Sequence, residues 1–255
     1  MTSYHARLQA FMNRLGDLAH EAEWRREFVF EALRDESLFG GIEDILGWYE
    51  DCRVASEMSY QLIPLRQCRQ WSVCPETGSI VHESGDFFRV DGIRVSPNST
   101  REVLGGWDQP ILTQVGFDGG ILGLIRKRFS GVPHYLVEAK AEPGNYRLVQ
   151  ITTTIQATFS NLRRSHGGNA TPYAQYFLEP ETNGARIVFQ QWMSEDGGRL
   201  LNKRNKSILI ELGEGVELDL VADRYRWVGL FQLKELLLRG DAIIAPHLRG
   251  ILAVV

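Results

Sequence analysis

The residues with the clearest chemical potential lie on one predicted β-hairpin, between residues 135 and 161. Lys140 and Glu142 are two positions apart, so the period of two in a strand puts both side chains on one face. Gln150, Thr152 and Gln156 share that face after the turn. Amides and hydroxyls beside one ion pair indicate the wall of a site that hydrogen-bonds a polyhydroxylated ligand. The alternative is a water-facing sheet surface rich in threonine, with a surface ion pair.

The alternation of apolar and polar residues defines the two faces of this hairpin. Odd-numbered residues are mostly apolar in 135–141 and 149–159, and their even-numbered neighbours are mostly polar. If both apolar faces share one core, odd-numbered residues must pair with odd-numbered ones. The loop then has an odd number of residues, most simply Pro143, Gly144 and Asn145, which are typical turn residues.

Common catalytic signatures do not occur in the sequence. It contains no phosphate-binding G-x-x-x-x-G-K-[ST], no G-x-S-x-G and no H-E-x-x-H motif. One glycine-rich run does not fit a dinucleotide fingerprint, and we interpret its glycines as hairpin glycines. They are Gly116, Gly119, Gly120 and Gly123. The histidines, which show no ligand spacing and predict no metal site, are His5, His20, His82, His134, His166 and His247.

Basic and aromatic clusters leave two interpretations open. Basic groups that fit either a diphosphate site or a solvated turn are Arg163, Arg164, Lys203, Arg204 and Lys206. Aromatic residues that either stack on a nucleobase or pack in the core are Trp71, Trp107, Tyr173 and Tyr176.

The composition is that of a globular protein with a substantial core. The chain has 255 residues, 44% of them hydrophobic, and its net charge of -4 gives no reason to expect nucleic acid or an acidic membrane as partner. Cys52, Cys68 and Cys74 contain no CxxC pair, which argues against a disulfide framework or a zinc site and favours a reducing, cytoplasmic setting. We expect neither a leader peptide nor a membrane span, because no suitable apolar run occurs.

The elements that must position the hairpin form an α+β pattern. Residues from about 3 to 58 have helical spacing, broken at Gly40-Gly41, and we interpret residues 1–60 as a two-helix segment for dimerisation or packing. Residues 61–255 predict a mixed or antiparallel sheet domain, with a hairpin around Asp196 and one late helix closed by Gly240. In this domain we expect turns at Gly85-Asp86 and Asp91-Gly92, and a strand, glycine-rich turn, strand, tight turn, strand succession over residues 109–142.

Several runs, in order, resemble the NDP-hexose 2,3-dehydratase family. They include "WSVCPETGSIVHESGDFFRVDGIRV", "GILGLIRKRFSGVPHYLVEAKAEPGN", "VQITTTIQATFSNLRRSHGG", "PYAQYF", "SEDGGRLLNKRNKS" and "YRWVGLFQLKELL", within residues 71 to 252. The resemblance implies a Nudix-hydrolase-like mixed sheet with flanking helices. The Nudix box is absent, so we do not expect Nudix-type metal hydrolysis.

The resemblance also implies a reaction. The chain would be a carbon–oxygen lyase of deoxysugar and antibiotic biosynthesis that eliminates water across C2–C3 of a dTDP-linked 4-keto-6-deoxyhexose, giving a 3,4-diketo-2,6-dideoxy sugar. No cofactor is required. Because the familiar enzymes carry two copies of this unit, the resemblance implies a homodimer.

The reaction implied by the resemblance needs a base, an acid and groups that hold the substrate, and individual residues are candidates for these roles. Glu142 is the expected base, with Lys140 beside it. The candidate acids are Tyr173 and His166. The residues expected to orient sugar hydroxyls are Gln150, Thr154, Gln156, Thr158 and Asn161. Those expected to pair with the diphosphate are Arg164, Lys203 and Arg204. Further expected substrate-binding residues are Trp71, His82, Gln109, Gln114, Asn145 and Asn205.

Some positions depart from the family pattern. Glu138 stands where glutamine is usual, Thr153 where proline is usual and Leu162 where tyrosine is usual. "MSEDGG" and "APHLRGIL" also differ from their family counterparts. These departures keep two alternatives open: a non-catalytic subunit that binds a nucleotide sugar or a partner enzyme, and a dehydratase or isomerase for a different keto substrate.

Overall fold

The computed structural model describes residues 3–14, 23–85, 87–97, 99–100, 104–116, 119–162, 170–240 and 243–255. Its first sheet is an antiparallel meander of β1 (Trp71–Val73), β2 (Ile80–His82), β3 (Phe88–Val95) and β4 (Trp107–Gln114). Asp91 and Gly92 lie inside β3 and pair with Ile111 and Pro110 of β4, so the predicted turn at Asp91-Gly92 is wrong.

A larger mixed sheet carries the predicted hairpin. Its strands are β5 (Gly120–Phe129), β6 (Val132–Ala141), β7 (Val149–Thr152), β8 (Ile155–Thr158), β9 (Ala185–Ser194), β10 (Arg204–Leu212) and β11 (Tyr225–Val228). The main order is β11-β6-β5-β10-β9, with β7 paired to β6 and β8 paired to β5. β10 runs parallel to β5, while β5 and β6, and β9 and β10, form antiparallel hairpins. The predicted α+β class with a mixed sheet is confirmed.

The second half of the predicted hairpin consists of two strands, β7 and β8. The chain pairs with β6 along β7 and then crosses to pair with β5 along β8. β5 and β6 pair with each other over residues 125–129 and 132–136. The rest of β6 pairs with β7, and the beginning of β5 pairs with β8. Thr154 lies at this divergence. Its hydroxyl accepts a hydrogen bond from Ile125 N at 2.9 Å and donates one to Leu136 O. The prediction of one continuous strand over residues 149–159 is therefore wrong.

Helices cover both faces of the larger sheet. They are α1 (Tyr4–Arg14), α2 (Glu23–Leu33), α3 (Ile42–Val54), α4 (Phe159–Leu162), α5 (Ala174–Leu178), α6 (Leu230–Arg239) and α7 (Pro246–Leu252). Residues of α2, α3, α6 and α7 pack in one core cluster with Val137 and Ile151, and Phe177 of α5 packs in a second cluster with Leu136 and Ile155. The helix closed by Gly240 and the break before α3 are confirmed, but α3 is preceded by two described helices and α7 follows the predicted last helix. None of the described helices is long and apolar enough to cross a membrane.

A buried ionic cluster ties α2 to the sheet. Arg126 of β5 is 2% exposed and its guanidinium contacts Glu27 at 2.8 Å, Glu31 at 2.6 Å and also Glu211 of β10. Tyr135 donates its hydroxyl to Glu31 at 2.7 Å. Burial raises the pKa of Glu31, and Arg126 opposes that shift. The cluster fixes the position of α2 against β5 and β10.

Candidate functional site

A cavity of about 320 Å³ lies among the ends of several strands of the two sheets. The predicted site residues that line it are Lys140, Glu142, Gln156, Thr158, Asn161, Lys203 and Asn205. They belong to β6, β8, α4 and the beginning of β10, or to residues directly beside these elements. The volume is at the lower end of the range of about 300–1,000 Å³ for small-molecule sites, which suits one sugar ring better than a whole nucleotide sugar.

Lys140 and Glu142 form one polar cluster in this cavity together with Gln156. Their alternation along β6 puts them on one side, as the sequence predicts. Lys140 Nζ is 3.7 Å from Glu142 Oε1, and the two side chains are 26% and 35% exposed. Gln156 donates its amide to Glu142 Oε1 at 3.1 Å, and its backbone oxygen accepts from Lys140 Nζ at 3.4 Å. The carboxylate is thus held beside a cation and an amide at the mouth of a concave site.

The turn after β6 is longer than predicted, although the loop has an odd number of residues, as predicted. Lys140 pairs with Gln150 and Ala141 with Val149, so residues of equal parity face each other. Glu142 N still donates to Leu148 O at 2.9 Å, which leaves residues 143–147 as the loop. Asn145 explains the longer loop, because its side-chain amide donates to Lys140 O at 3.4 Å and Leu148 O at 3.3 Å. Asn145 therefore closes the turn and is absent from the cavity lining.

A second polar cluster surrounds Lys203, and of its members Lys203, Asn205, Glu195 and His247 line the same cavity while Gln114 does not. The Lys203 ammonium donates to Asn205 Oδ1 at 2.9 Å and to the side-chain oxygen of Gln114. Asn205 in turn donates to Glu195 Oε1, which lies 3.8 Å from His247 Nδ1. Burial lowers the pKa of the Lys203 ammonium, and the nearby charge of Glu195 opposes this shift.

Sequence reasoning missed Glu195, His247 and Phe88, which also line the cavity. Glu195 directly follows β9, and His247 is near the beginning of α7. One signal was available for Glu195: it stands beside the turn that connects β9 to the lysine-rich start of β10. No such signal exists for His247, because α7 reaches the cavity only through its packing on the sheet.

Tyr173 and Thr154 have structural roles that contradict their predicted ones. Tyr173 is 5% exposed in the second core cluster. Its hydroxyl donates to Asp219 O at 3.2 Å and accepts from Val221 N at 3.0 Å, and burial raises its pKa. Thr154 is 1% exposed with its hydroxyl bonded to the backbone of β5 and β6. Neither residue lines the cavity, because each satisfies buried backbone groups instead.

Other predicted residues lie elsewhere or are engaged by the protein. Trp71 and His82 contact each other in the first sheet, with ring centroids 5.3 Å apart. Gln109 donates to Gly198 O at 3.0 Å, and Arg204 lies over the Trp192 ring at 4.6 Å. Gln150 is buried opposite Lys140. The structure does not bring these five positions into the cavity lining.

His166 and Arg164 lie outside the described residues, so their predicted roles stay predictions. Among the residues that the structure does describe, no group of three or more His, Cys, Asp or Glu side chains could hold a metal ion.

Larger cavities occur on the helical side but offer different chemistry. One of about 560 Å³ is lined largely by apolar residues of α2 and the C-terminal residues 253–255. Another of about 610 Å³ lies between α1 and the ionic cluster, where Arg128 and Glu27 already pair at 2.7 Å. The cavity of Lys140 and Glu142 is therefore the best candidate for acid–base chemistry on a polar ligand.

Comparison with known families decides the relationship of this chain. The sequence model described as NDP-hexose 2,3-dehydratase matches residues 42–255, from the beginning of α3 onward. The chain belongs to the NDP-hexose 2,3-dehydratase family. All residues of the cavity described above fall within the matched range of this family.

Curated members of the NDP-hexose 2,3-dehydratase family are similar to most of this chain. A dTDP-4-dehydro-6-deoxy-alpha-D-glucopyranose 2,3-dehydratase from Amycolatopsis orientalis is 34% identical over 214 residues, covering 83% of this chain and 44% of that protein. One of the same name from Streptomyces violaceoruber is 36% identical over 208 residues, covering 81% and 44%. The chain thus spans less than half the length of these relatives. Among solved structures, a Nudix hydrolase from M. smegmatis aligns with a TM-score of 0.32 and 14% identity, over 56% of this chain and 91% of that chain.

Proposed function

We propose that this member of the NDP-hexose 2,3-dehydratase family eliminates water across C2–C3 of a nucleotide-linked 4-keto-6-deoxyhexose. The names of its relatives make the dTDP-linked glucose derivative the first substrate to test. One structural observation carries the proposal: Lys140, Glu142 and Gln156 converge on a cavity instead of facing bulk solvent.

Glu142 is the base of the proposed reaction. The C4 ketone acidifies the C3 proton, and transfer of that proton to the Glu142 carboxylate leaves an enolate over C3 and C4. Lys140 is close enough to Glu142 to donate to the enolate oxygen, where negative charge develops. The enolate electrons then form the C2–C3 double bond as the C2 hydroxyl leaves with a proton. The resulting enol ketonises to the 3,4-diketo sugar.

The remaining cavity residues support binding of the sugar and its phosphates. Thr158 and Asn161 stand beside Gln156 and supply a hydroxyl and an amide for sugar hydroxyls. Gln114 and Asn205 accept hydrogen bonds from the Lys203 ammonium, and its third N–H would donate to a phosphate of the substrate.

We also propose that two copies of the chain pair in solution. Support comes from the segment after α3, where Leu62 is 92% exposed and Leu65 is 70% exposed. Exposed apolar side chains in succession are typical of surfaces that a second chain covers. Sedimentation equilibrium tests this proposal: a dimer at micromolar concentration supports it, and a monomer throughout contradicts it.

The activity is tested by incubating the purified chain with the dTDP-linked 4-keto-6-deoxyglucose. The diketo product is trapped with a 1,2-diamine and identified by mass. Formation of this adduct supports the proposal. Tight binding without product contradicts it and favours the non-catalytic subunit.

A further inference from the structure

The Glu195 and His247 side chains form a pair that lines the same cavity as Lys140 and Glu142 but comes from other elements of the fold. His247 Nδ1 lies 3.8 Å from Glu195 Oε1, and the side chains are 27% and 22% exposed. Asn205, which is 8% exposed, donates its amide to the same carboxylate oxygen. Glu195 is therefore anchored by β10 while it faces the imidazole of α7.

The proposed elimination leaves one task without a residue. Hydroxide is a poor leaving group, so the C2 oxygen must receive a proton as the C–O bond breaks. Tyr173 cannot supply it from its buried position, where its hydroxyl is bonded to Asp219 and Val221. An imidazole is well suited to the task, because a ring nitrogen can donate a proton to the C2 oxygen while the neighbouring carboxylate holds the ring in place.

We propose, resting on the dehydratase function above, that His247 is the general acid for departure of the C2 hydroxyl and that Glu195 is its positioning residue. The imidazolium transfers a proton to the C2 oxygen, the C2–O bond breaks, and water leaves with both bonding electrons. The enolate formed by Glu142 supplies the electrons of the new C2–C3 double bond. Solvent reprotonates His247 and removes the proton from Glu142.

The assignment places the two proton transfers on separate elements. The base and its partners stand at the end of β6 and on β8, whereas the acid stands on α7 and its positioning carboxylate follows β9. A ring bound in this cavity can lose its C3 proton to Glu142 and receive a proton on its C2 oxygen from His247. This division predicts that the two steps respond to different substitutions.

A change of leaving group tests His247 directly. Fluoride leaves without protonation, so a 2-deoxy-2-fluoro form of the dTDP-4-keto-6-deoxyhexose needs the base but not the acid. We expect His247→Gln to lower water elimination by about 10²-fold or more, the lower bound of general acid catalysis, and fluoride release by less than about tenfold. Fluoride is measured by ¹⁹F NMR, and both rates come from the same protein sample, which removes folding as an explanation.

The controls separate this inference from the proposed function. His5→Gln alters an exposed histidine of α1 outside the cavity and should change neither rate. Glu195→Gln should reproduce the pattern of His247→Gln with a smaller loss. Equal losses of both rates in His247→Gln, or no loss, overturn the assignment of His247 while leaving the dehydratase function standing. Wild-type chain that acts on neither substrate overturns the proposed function and the assignment with it.

Discussion

Gln156 donates its side-chain amide to Glu142 Oε1 at 3.1 Å, although β8 and β6 do not pair with each other. The backbone oxygen of the same residue accepts from Lys140 Nζ at 3.4 Å. A single residue on β8 thus holds both members of the ion pair that stands at the end of β6. The crossing of the chain between β7 and β8 is what brings Gln156 to this place.

Removal of the Gln156 amide should impair catalysis more than folding. Without it the Glu142 carboxylate loses its fixed orientation, and misplacement of a catalytic group costs up to about 10²-fold in rate. We expect Gln156→Ala to lower kcat between about 10- and 100-fold, with a change in unfolding free energy below about 1.5 kcal/mol. Gln190→Ala, on an exposed position of β9, is the matched control for kcat. Unchanged kcat in Gln156→Ala would contradict this role.

The Thr154 hydroxyl should be essential to the divergence of β5 and β6. In Thr154→Val, Ile125 N and Leu136 O lose their partner in a buried place, and each unsatisfied group costs about 1–3 kcal/mol. We expect a loss of about 2–4 kcal/mol in urea unfolding. Thr154→Ser keeps the hydroxyl and should lose much less. Equal losses in the two variants would show that the hydroxyl is not responsible.

The buried Arg126 should contribute more to stability than an exposed ion pair does. Arg126→Met removes the cation from Glu27, Glu31 and Glu211, and breaking a buried pair costs about 3–5 kcal/mol. Adding Glu31→Gln to this variant should recover part of the loss, because it removes one buried charge. Arg94→Ala breaks a pair with Asp108 in which Arg94 is 85% exposed, and it should leave the unfolding free energy nearly unchanged. Similar losses in Arg126→Met and Arg94→Ala would contradict this account.

His134 should make the protein less stable in acid. It is fully buried, its Nε2 accepts from Leu38 N at 2.9 Å, and Nδ1 lies 3.0 Å from Val132 O. Burial lowers the pKa of His134 to about 4, and a hydrogen bond to Val132 and the charge of Asp35 oppose the shift. The unfolded chain binds a proton near pH 6.5 and the folded chain does not, so stability is complete above that pH and falls toward pH 4.

The size of this effect follows from the shift in pKa. A depression of about two and a half units corresponds to at most about 3 kcal/mol. We expect wild type to lose most of this free energy, relative to His134→Gln, between pH 7.5 and 4.5, as measured in urea at each pH. The glutamine oxygen can still accept from Leu38 N, which isolates the effect of titration. Parallel pH curves for the two proteins would exclude His134 as the source.

Local periodicity was sufficient to predict the strands and the shared face of Lys140 and Glu142. It failed at Thr153 and Thr154, because three successive threonines continue a period of two while the chain changes partners. The change depends on a contact between Thr154 and Ile125 that is remote in sequence. The loop length also escaped prediction, since it depends on the Asn145 amide satisfying two backbone oxygens.

Some residues of the cavity could be predicted from the sequence as site residues, and others could not. Gln156 and Lys203 were accessible from their position on predicted strands and strand starts. Glu195 and His247 meet only because α7 packs beside the ends of β9 and β10, and no local pattern encodes that packing. Tyr173 was misassigned because its hydroxyl chemistry was considered without its apolar surroundings, which include Phe177 in the second core cluster.

The proposed dehydration requires Glu142 to remove the C3 proton of a keto sugar bound in this cavity. Exchange of that proton for deuterium in heavy water, followed by NMR of the dTDP-4-keto-6-deoxyhexose, measures this step alone. We predict exchange with wild type and with Glu217→Gln, an exposed control, and a rate lower by about 10²–10⁴-fold in Glu142→Gln with nucleotide affinity unchanged. Wild-type exchange in Glu142→Gln would contradict the account.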